Sequence, residues 1–342
     1  MSSSLSVVCL SQAEAYVVQR YIENPMLIGG KKFDLRLYAL VTSYSPLQVY
    51  IYRNGFARFS SFRYNSNVKN IGDSYVHLTN ASVQKSAPGF DKTVPHLQLS
   101  CIPAHAACSP VRTACSSVHP ACSPVRPACR SVHTACNYLC AQTGCKWGLR
   151  NLKLYLISKY GAARTDQLFK EIEDVVVYSL LAVQAACASG LGLASGLSVS
   201  VSREREHERG REHERVGVRV QKVMINDKHC FEMYGYDVMI DDNLKPWLIE
   251  VNSSPSVTAD TPTDYELKFG LLDDVWTILD VEGKLGGVVE PVVGGFDLVY
   301  NNGPVKPDKS ACYTTRLGCY EDRVRQLKKM HKQHAKRVAA VA

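Results

Sequence analysis

Two stretches roughly 200 residues apart alternate charge and bulk with a period of two, and this limits the fold more than any other feature of the chain. In GGKKFDLRLY, strict alternation puts Lys32, Asp34 and Arg36 on one face of an extended strand and Phe33, Leu35 and Leu37 on the other, which packs. In WLIEVN, Glu250 and Asn252 are two residues apart and leave the same face of a second strand. If Asp242-Asn243 is a two-residue turn, Asp237 of the preceding strand lies opposite Leu248 and diagonally beside Glu250, again on that face. Two carboxylates and an amide carbonyl then converge. Such oxygen-only ligands suit Mg²⁺, which takes one or two carboxylates plus nucleotide phosphates. A solvent-facing acidic edge is the plainer alternative. Likewise, Lys32 and Arg36 beside Asp34 either clamp a polyphosphate or acyl phosphate, or form an exposed ladder. Arg53 either binds a carboxylate bidentately or is a surface arginine.

The remaining pattern is mixed α/β. FDLRLYALVTSY and LQVYIYRNGFARFSSF are rich in aromatic and β-branched residues, and Asn54-Gly55 predicts a hairpin between Tyr50–Arg53 and Phe56–Phe59. LRNLKLYLISKYG and TDQLFKEIEDVVVYSLLAVQ form a helical block, the second with Leu168, Ile172, Val175, Val176, Leu180 and Val183 at helical spacing. YEDRVRQLKKMHKQHAKRVAAVA reads as a basic helix, which either docks on an acidic partner or is simply solvated.

Two segments break this pattern. Between Cys101 and Cys136 a cysteine recurs every seven residues, and Pro110, Pro120, Pro124 and Pro127 exclude a coiled coil. The repeat reads as a translated tandem duplication; a Cys/His metal tract is the alternative, without CxxC spacing in its favour. The second segment joins ASGLGLASGLSVSVS to REREHERGREHERV, a solvated run able to form a short helix but lacking an apolar stripe. Removing residues 185–221 joins Gln184 to Lys222 and continues the preceding helix, so the segment reads as an insertion.

These segments also distort the composition. Eight of the 13 cysteines lie between Cys101 and Cys145, so their number does not report a redox compartment. The two segments carry +3 and +1 of the net charge of +8, which leaves too mild a basicity to argue for nucleic acid. No run of about 18 apolar residues is present. The N-terminus MSSSLSVVCLSQ lacks the basic and apolar parts of a signal peptide, so a soluble intracellular protein without a membrane partner is expected.

Taken in order, YVVQRYIENPMLIGGKKFDLRLYALV, YRNGFARF, HLTNASVQK and YGYDVMIDDNLKPWLIEVNSSPS closely resemble the tubulin–tyrosine ligase-like family of ATP-grasp enzymes. Past this core, DYELKFGLLDDVWTILD, VGGFDLVYNNGP and LGCYEDRVRQLKK look like the tail of a tubulin polyglutamylase branch of the family. The resemblance implies an α/β (α+β) fold: an ATP-grasp-like C-terminal half with an antiparallel sheet, flanking helices and two disordered insertions. The expected organisation is a non-family N-terminus at 1–13, hinge and central strands at 14–92, and the heptad insertion at 93–143. The helical block follows at 144–184, the second insertion at 185–221, the metal-binding hairpin at 222–260, and a C-terminal extension with the basic helix at 261–342.

The resemblance also implies roles. Gln19, Arg20, Tyr21 and Ile22 form the hinge whose backbone meets the adenine of ATP, with Gln19 near its amino group. Lys32 holds ATP phosphate, and Asp34 and Arg36 order the reaction centre, making these three the catalytic set. Arg53 meets the carboxylate of the incoming amino acid, His77, Thr79 and Asn80 line the same pocket, and Asp237, Glu250 and Asn252 hold Mg²⁺. The implied reaction converts a glutamate side chain in an acidic tubulin C-terminal tail into an acyl phosphate, which the amine of free glutamate attacks. Implied partners are tubulin, microtubules and other polyglutamylase subunits, in the cytoplasm and cytoskeleton and at the axoneme and basal body of cilia and flagella. A tubulin glycylase and a non-catalytic microtubule-binding or assembly protein are the other readings. Family members carry strands and a glycine-containing phosphate loop ahead of the hinge; the few residues before Gln19 do not contain them, so weak ATP binding or none, and with it an inactive chain, is expected of the chain by itself.

Overall fold

The computed structural model describes residues 19–67, 70–88, 146–188, 202–204, 215–217, 230–306, 313–320 and 322–341; the heptad segment and its cysteines fall outside them. The chain enters through β1 (Leu27–Ile28) and reverses at Gly29-Gly30 into the long strand β2 (Lys31–Tyr44). Gly29 and Gly30 have φ of 61° and 76°, the left-handed values that a two-residue hairpin loop demands. Next come β3 (Leu47–Tyr52), β4 (Phe56–Phe59), the short helices α1 (Ser74–His77) and α2 (Ala81–Gln84), and β5 (Lys146–Gly148). The helical block is α3 (Leu149–Tyr160) and α4 (Ala162–Ala188), followed by β6 (Ser202–Glu204) and β7 (Arg215–Gly217). The last part holds β8 (Glu232–Ile240), β9 (Pro246–Asn252), α5 (Pro262–Leu279), β10 (Val292–Val293), β11 (Phe296–Asn301) and α6 (Arg323–Val341).

Nine strands form one antiparallel sheet, in the order β10-β11-β3-β2-β4-β5, with β1 and β8 also on β2 and β9 on β8. Period-two alternation along β2 sorts the layers. Phe33, Leu35, Leu37, Ala39 and Val41 pack with Leu149, Leu152 and Leu156 of α3 and Phe169, Ile172 and Val176 of α4 in the main core. Each Val, Leu, Ile or Phe among them contributes about 1.5–3 kcal/mol by leaving water. On the opposite face, Tyr38 and Leu40 meet Leu271 and Val275 of α5, together with Tyr50, Tyr52 and Phe296. Helix α5 thus covers one end of that face; the other end carries Lys32, Asp34 and Arg36.

Two turns differ from expectation. Asn54-Gly55 is not a hairpin turn, because β3 and β4 do not pair with each other: both lie on β2, Ala39 opposite Ile51 and Arg36 opposite Phe56. Between those pairs β2 advances three residues and its partner five, so Asn54-Gly55 sits in a two-residue bulge. Two further strands hold the bulged segment straight, β11 on β3 and β5 on β4. Glycine is required there because a Cβ on Gly55 would stand 2.3 Å from the carbonyl oxygen of Arg36. Asp242-Asn243 is likewise not a two-residue turn. Ile240 pairs with Pro246, and Asp241 Oδ1 organises the loop by accepting from the backbone N–H of Asn243 and of Lys245, each at 2.9 Å. The register then puts Asp237 directly opposite Glu250 rather than Leu248, with a bulge at Ile249.

Helix α5 starts at the N-cap Thr261, whose Oγ1 accepts from Asp264 N at 3.1 Å, with Pro262 in its first turn. Basic helix α6 docks beside it: Arg323 Nε lies 2.8 Å from Asp274 Oδ1, Arg337 pairs with Glu290, and Met330 packs on Leu285 and Val293. Within 185–221, read from the sequence as a solvated, disordered insertion able to form a short helix, Ser202–Glu204 and Arg215–Gly217 instead pair as an antiparallel ribbon. Among the described residues no helix is long and apolar enough to cross a membrane.

Candidate active site

Adjacent strands bring the charged positions together. Arg36 pairs in register with Asp237 and forms a two-pronged ion pair with it, Nε to Oδ1 at 2.5 Å and Nη2 to Oδ2 at 3.0 Å. Arg58 of β4 pairs with Asp34, donating from Nε to Oδ1 at 2.8 Å and from Nη2 to Oδ2, and the same Nη2 lies 2.9 Å from Asp237 Oδ2. Asp237 and Asp34 are only 2% and 4% exposed, so both depend on these two guanidinium groups. Glycine shapes the crossing: a Cβ on Gly235 would lie 2.7 Å from Pro255 Cβ and 3.4 Å from Arg36 Cδ.

Across the hairpin, Asp237 faces Glu250 and Gly235 faces Asn252. Asn252 Nδ2 donates to Glu250 Oε1 at 3.2 Å and to Gly235 O at 3.3 Å, which leaves its side-chain oxygen for a cation. The Glu250 carboxyl is pushed above the ordinary carboxylate range by burial and then by Asp237. Burial also works against the charge on Asp237, but hydrogen bonding from Arg36 and the nearby arginines hold its proton affinity below the usual value. A divalent cation would relieve the strain on Glu250, and two carboxylates plus an amide oxygen match the donors that Mg²⁺ prefers. The residues therefore fit the ion. Among the described residues no group of three or more His, Cys, Asp and Glu side chains forms a metal cluster, so nucleotide or water would complete the shell.

Lys32 is 4% exposed and touches Tyr21, with Nζ 3.3 Å from the hydroxyl and 4.6 Å from the ring centroid. Burial lowers its pKa to about 8, partly offset by Asp34. The ammonium thus lacks a full counter-charge, the condition under which a phosphate binds well. Tyr21 Oη lies 2.7 Å from His77 Nδ1, and His77 Nε2 is 3.1 Å from Asn70 O. The hinge joins the hairpin through Gln19, whose Nε2 donates to the bulged Ile249 carbonyl at 3.1 Å. Arg20 is exposed and Ile22 half-buried, Thr79 is buried, and Asn80 is an exposed cap of α2 whose carbonyl accepts from Val83 and Gln84.

The structure therefore gathers Lys32, Asp34, Arg36, Asp237, Glu250 and Asn252 on one face, with Tyr21 and His77 joined through Lys32. Arg53 is not among them. It forms two 2.5 Å bonds with Asp297, which pairs with Ile51 on the face covered by α3 and α4. Arg58 escaped the sequence reading, although FARF places it two residues beyond Phe56, on the face of the charged row.

The sequence profile of the Tubulin-tyrosine ligase family matches residues 2–98 and 200–284, and the chain belongs to that family. It is 38% identical over 326 residues to the probable tubulin polyglutamylase TTLL9 of Rattus norvegicus, covering 93% of this chain and 51% of the relative. It is 34% identical over 292 residues to the probable tubulin polyglutamylase ttll-9 of Caenorhabditis elegans, with coverages of 85% and 49%. With the probable alpha-tubulin polyglutamylase Ttll1 of Tetrahymena thermophila the identity is 33% over 304 residues, with coverages of 86% and 53%. The chain spans about half the length of the curated relatives it matches.

Proposed function

We propose that this chain carries the metal- and phosphate-binding part of an ATP-dependent tubulin polyglutamylase, which joins free glutamate to glutamate side chains of tubulin C-terminal tails. One observation supports this most: Arg36 and Arg58 converge on Asp237 opposite Glu250, in a chain whose relatives are named tubulin polyglutamylases.

The chemistry follows from the charges. A carboxylate is a poor electrophile, so its oxygen attacks the γ-phosphorus of ATP, releasing ADP and leaving an acyl phosphate. The amine of free glutamate then attacks the carbonyl carbon, phosphate leaves, and an amide forms. Lys32 supplies positive charge to the phosphates from a site where water competes little. Asp237, Glu250 and Asn252 would hold Mg²⁺, which when bound neutralises phosphate charge. Arg58 holds Asp34 and shares Asp237, so that Arg36 can give up part of its pairing and turn a guanidinium N–H to the developing oxyanion. The hinge residues Gln19, Arg20, Tyr21 and Ile22 would meet the adenine, and His77, Thr79 and Asn80 the incoming amino acid. On α6 the exposed Arg325, Lys328, Lys329, Lys332 and Lys336 would attract the acidic tail, whereas Arg323 and Arg337 are used in docking the helix.

The test supplies purified full-length protein with tubulin, ATP and labelled glutamate or labelled glycine. Glutamate incorporation that requires Asp237 is the expected result. Glycine incorporation alone would make the chain a glycylase, and microtubule co-sedimentation with neither label would make it a binding protein.

A further inference from the structure

A second charged group lies on the same face and plays no part in the chemistry above. Lys146 of β5 pairs in register with Arg58, which itself pairs with Asp34, so Lys146 ends the row that runs across β2 and β4. Lys85 follows α2, just beyond Thr79 and Asn80. These two lysines come from separate segments and meet on one carboxylate: Asp260 Oδ1 lies 2.5 Å from Lys85 Nζ, and Oδ2 lies 3.0 Å from Lys146 Nζ. We infer that Lys85 and Lys146 form a seat for the side-chain carboxylate of a glutamate-rich peptide, and that Asp260 fills this seat from within the chain.

The seat gives each carboxylate oxygen its own ammonium group. It is reachable from solvent, since the side chains of Lys85, Asp260 and Lys146 are 42%, 29% and 20% exposed. It also stays ordered when Asp260 leaves. Lys146 keeps Asp264 at 3.0 Å, and Asp264, 1% exposed, is held in turn by Lys268 at 3.2 Å. Without Asp260 the group of three lysines and one aspartate carries a net charge of +2, which draws in another carboxylate. The segment bearing Asp260 is fixed on both sides: Pro255 lies against Gly235, Lys268 donates to Thr258 O, and Thr261 caps α5. Only the Asp260 side chain has to turn away.

This inference rests on the polyglutamylase reading for its substrate class, but it is read by binding, without ATP. The probes are fluorescein-labelled hexaglutamate and hexaglutamine, measured by anisotropy at low salt with unlabelled free glutamate as competitor. The variant Asp260→Asn is expected to bind hexaglutamate about two- to fivefold more tightly, the scale of an exposed ion pair, and Lys85→Ala and Lys146→Ala to bind it more weakly by a similar factor. Hexaglutamine should not respond to any of the three. Competition by free glutamate that Lys85→Ala abolishes would assign the same seat to the free amino acid, and its absence assigns the seat to the peptide. Equal or weaker hexaglutamate binding by Asp260→Asn overturns the inference and leaves Asp260 as a staple between α2 and α5. Should Asp260→Asn fail to melt cooperatively, Lys85→Ala decides, and unchanged affinity there overturns it. A full-length protein that shows the expected pattern yet incorporates no glutamate keeps the seat and loses the polyglutamylase reading. Glutamate incorporation with no affinity change in Asp260→Asn removes the seat alone.

Discussion

Phe33, Leu35 and Leu37 on one face of β2 and Lys32 and Asp34 on the other are removed from water to nearly the same extent, at 0–1% and 4% exposure. The apolar face gains stability from every square ångström it hides. The charged face gains little, since desolvation of two buried carboxylates consumes most of what Arg36 and Arg58 return. One face therefore holds the sheet on α3 and α4, and the charged end of the other is a balanced arrangement that adds little to stability. The difference teaches that removing any one charge should cost more than the whole arrangement contributes.

The largest effect is expected from Arg58→Ala, which leaves Asp34 and part of Asp237 without a counter-charge and should cost about 3–5 kcal/mol in denaturant unfolding. The double variant Asp34→Leu/Arg58→Leu should recover most of that loss, and failure to recover it would break the comparison. On the apolar face, Leu35→Ala should cost about 2–5 kcal/mol with no partner change able to restore it. Gly235→Ala comes next, at about 1–3 kcal/mol, because its Cβ would meet Pro255 Cβ at 2.7 Å. The last effect is a pH dependence. Lys32 titrates at about 8 when folded and 10.5 ordinarily, so between those values the unfolded chain binds more protons and stability rises with pH. Melting temperatures across that window should rise less steeply in Lys32→Met than in the parent, and identical slopes would show that Lys32 is not desolvated.

Much of the charged face was legible because alternation is a strict rule. Lys32, Asp34 and Arg36 share a face, as do Glu250 and Asn252, in any extended strand. Register was harder to read, since loops set it. Asp241 organises a longer connection than Asp242-Asn243 implies, and the bulge at Ile249 moves Glu250 directly opposite Asp237. The two glycine dipeptides show the same limit. Gly29-Gly30 turns the chain because both residues take positive φ, whereas Asn54-Gly55, the stronger hairpin pattern, is kept straight by β2, β11 and β5. Pairing offered by distant strands overrode the local preference. Arg58 was missed because its role depends on which strand lies next to β4, and Arg53 was expected near the substrate because its companion Asp297 lies 244 residues away.

The central claim, that Asp237, Glu250 and Asn252 form a cation site beside Arg36, is tested most directly by titrating the protein with Mn²⁺ and following the free ion by electron paramagnetic resonance near neutral pH. Saturable binding that is lost in the Asp237→Asn/Glu250→Gln variant is the predicted result. Equal Mn²⁺ binding by the parent and that variant would contradict it.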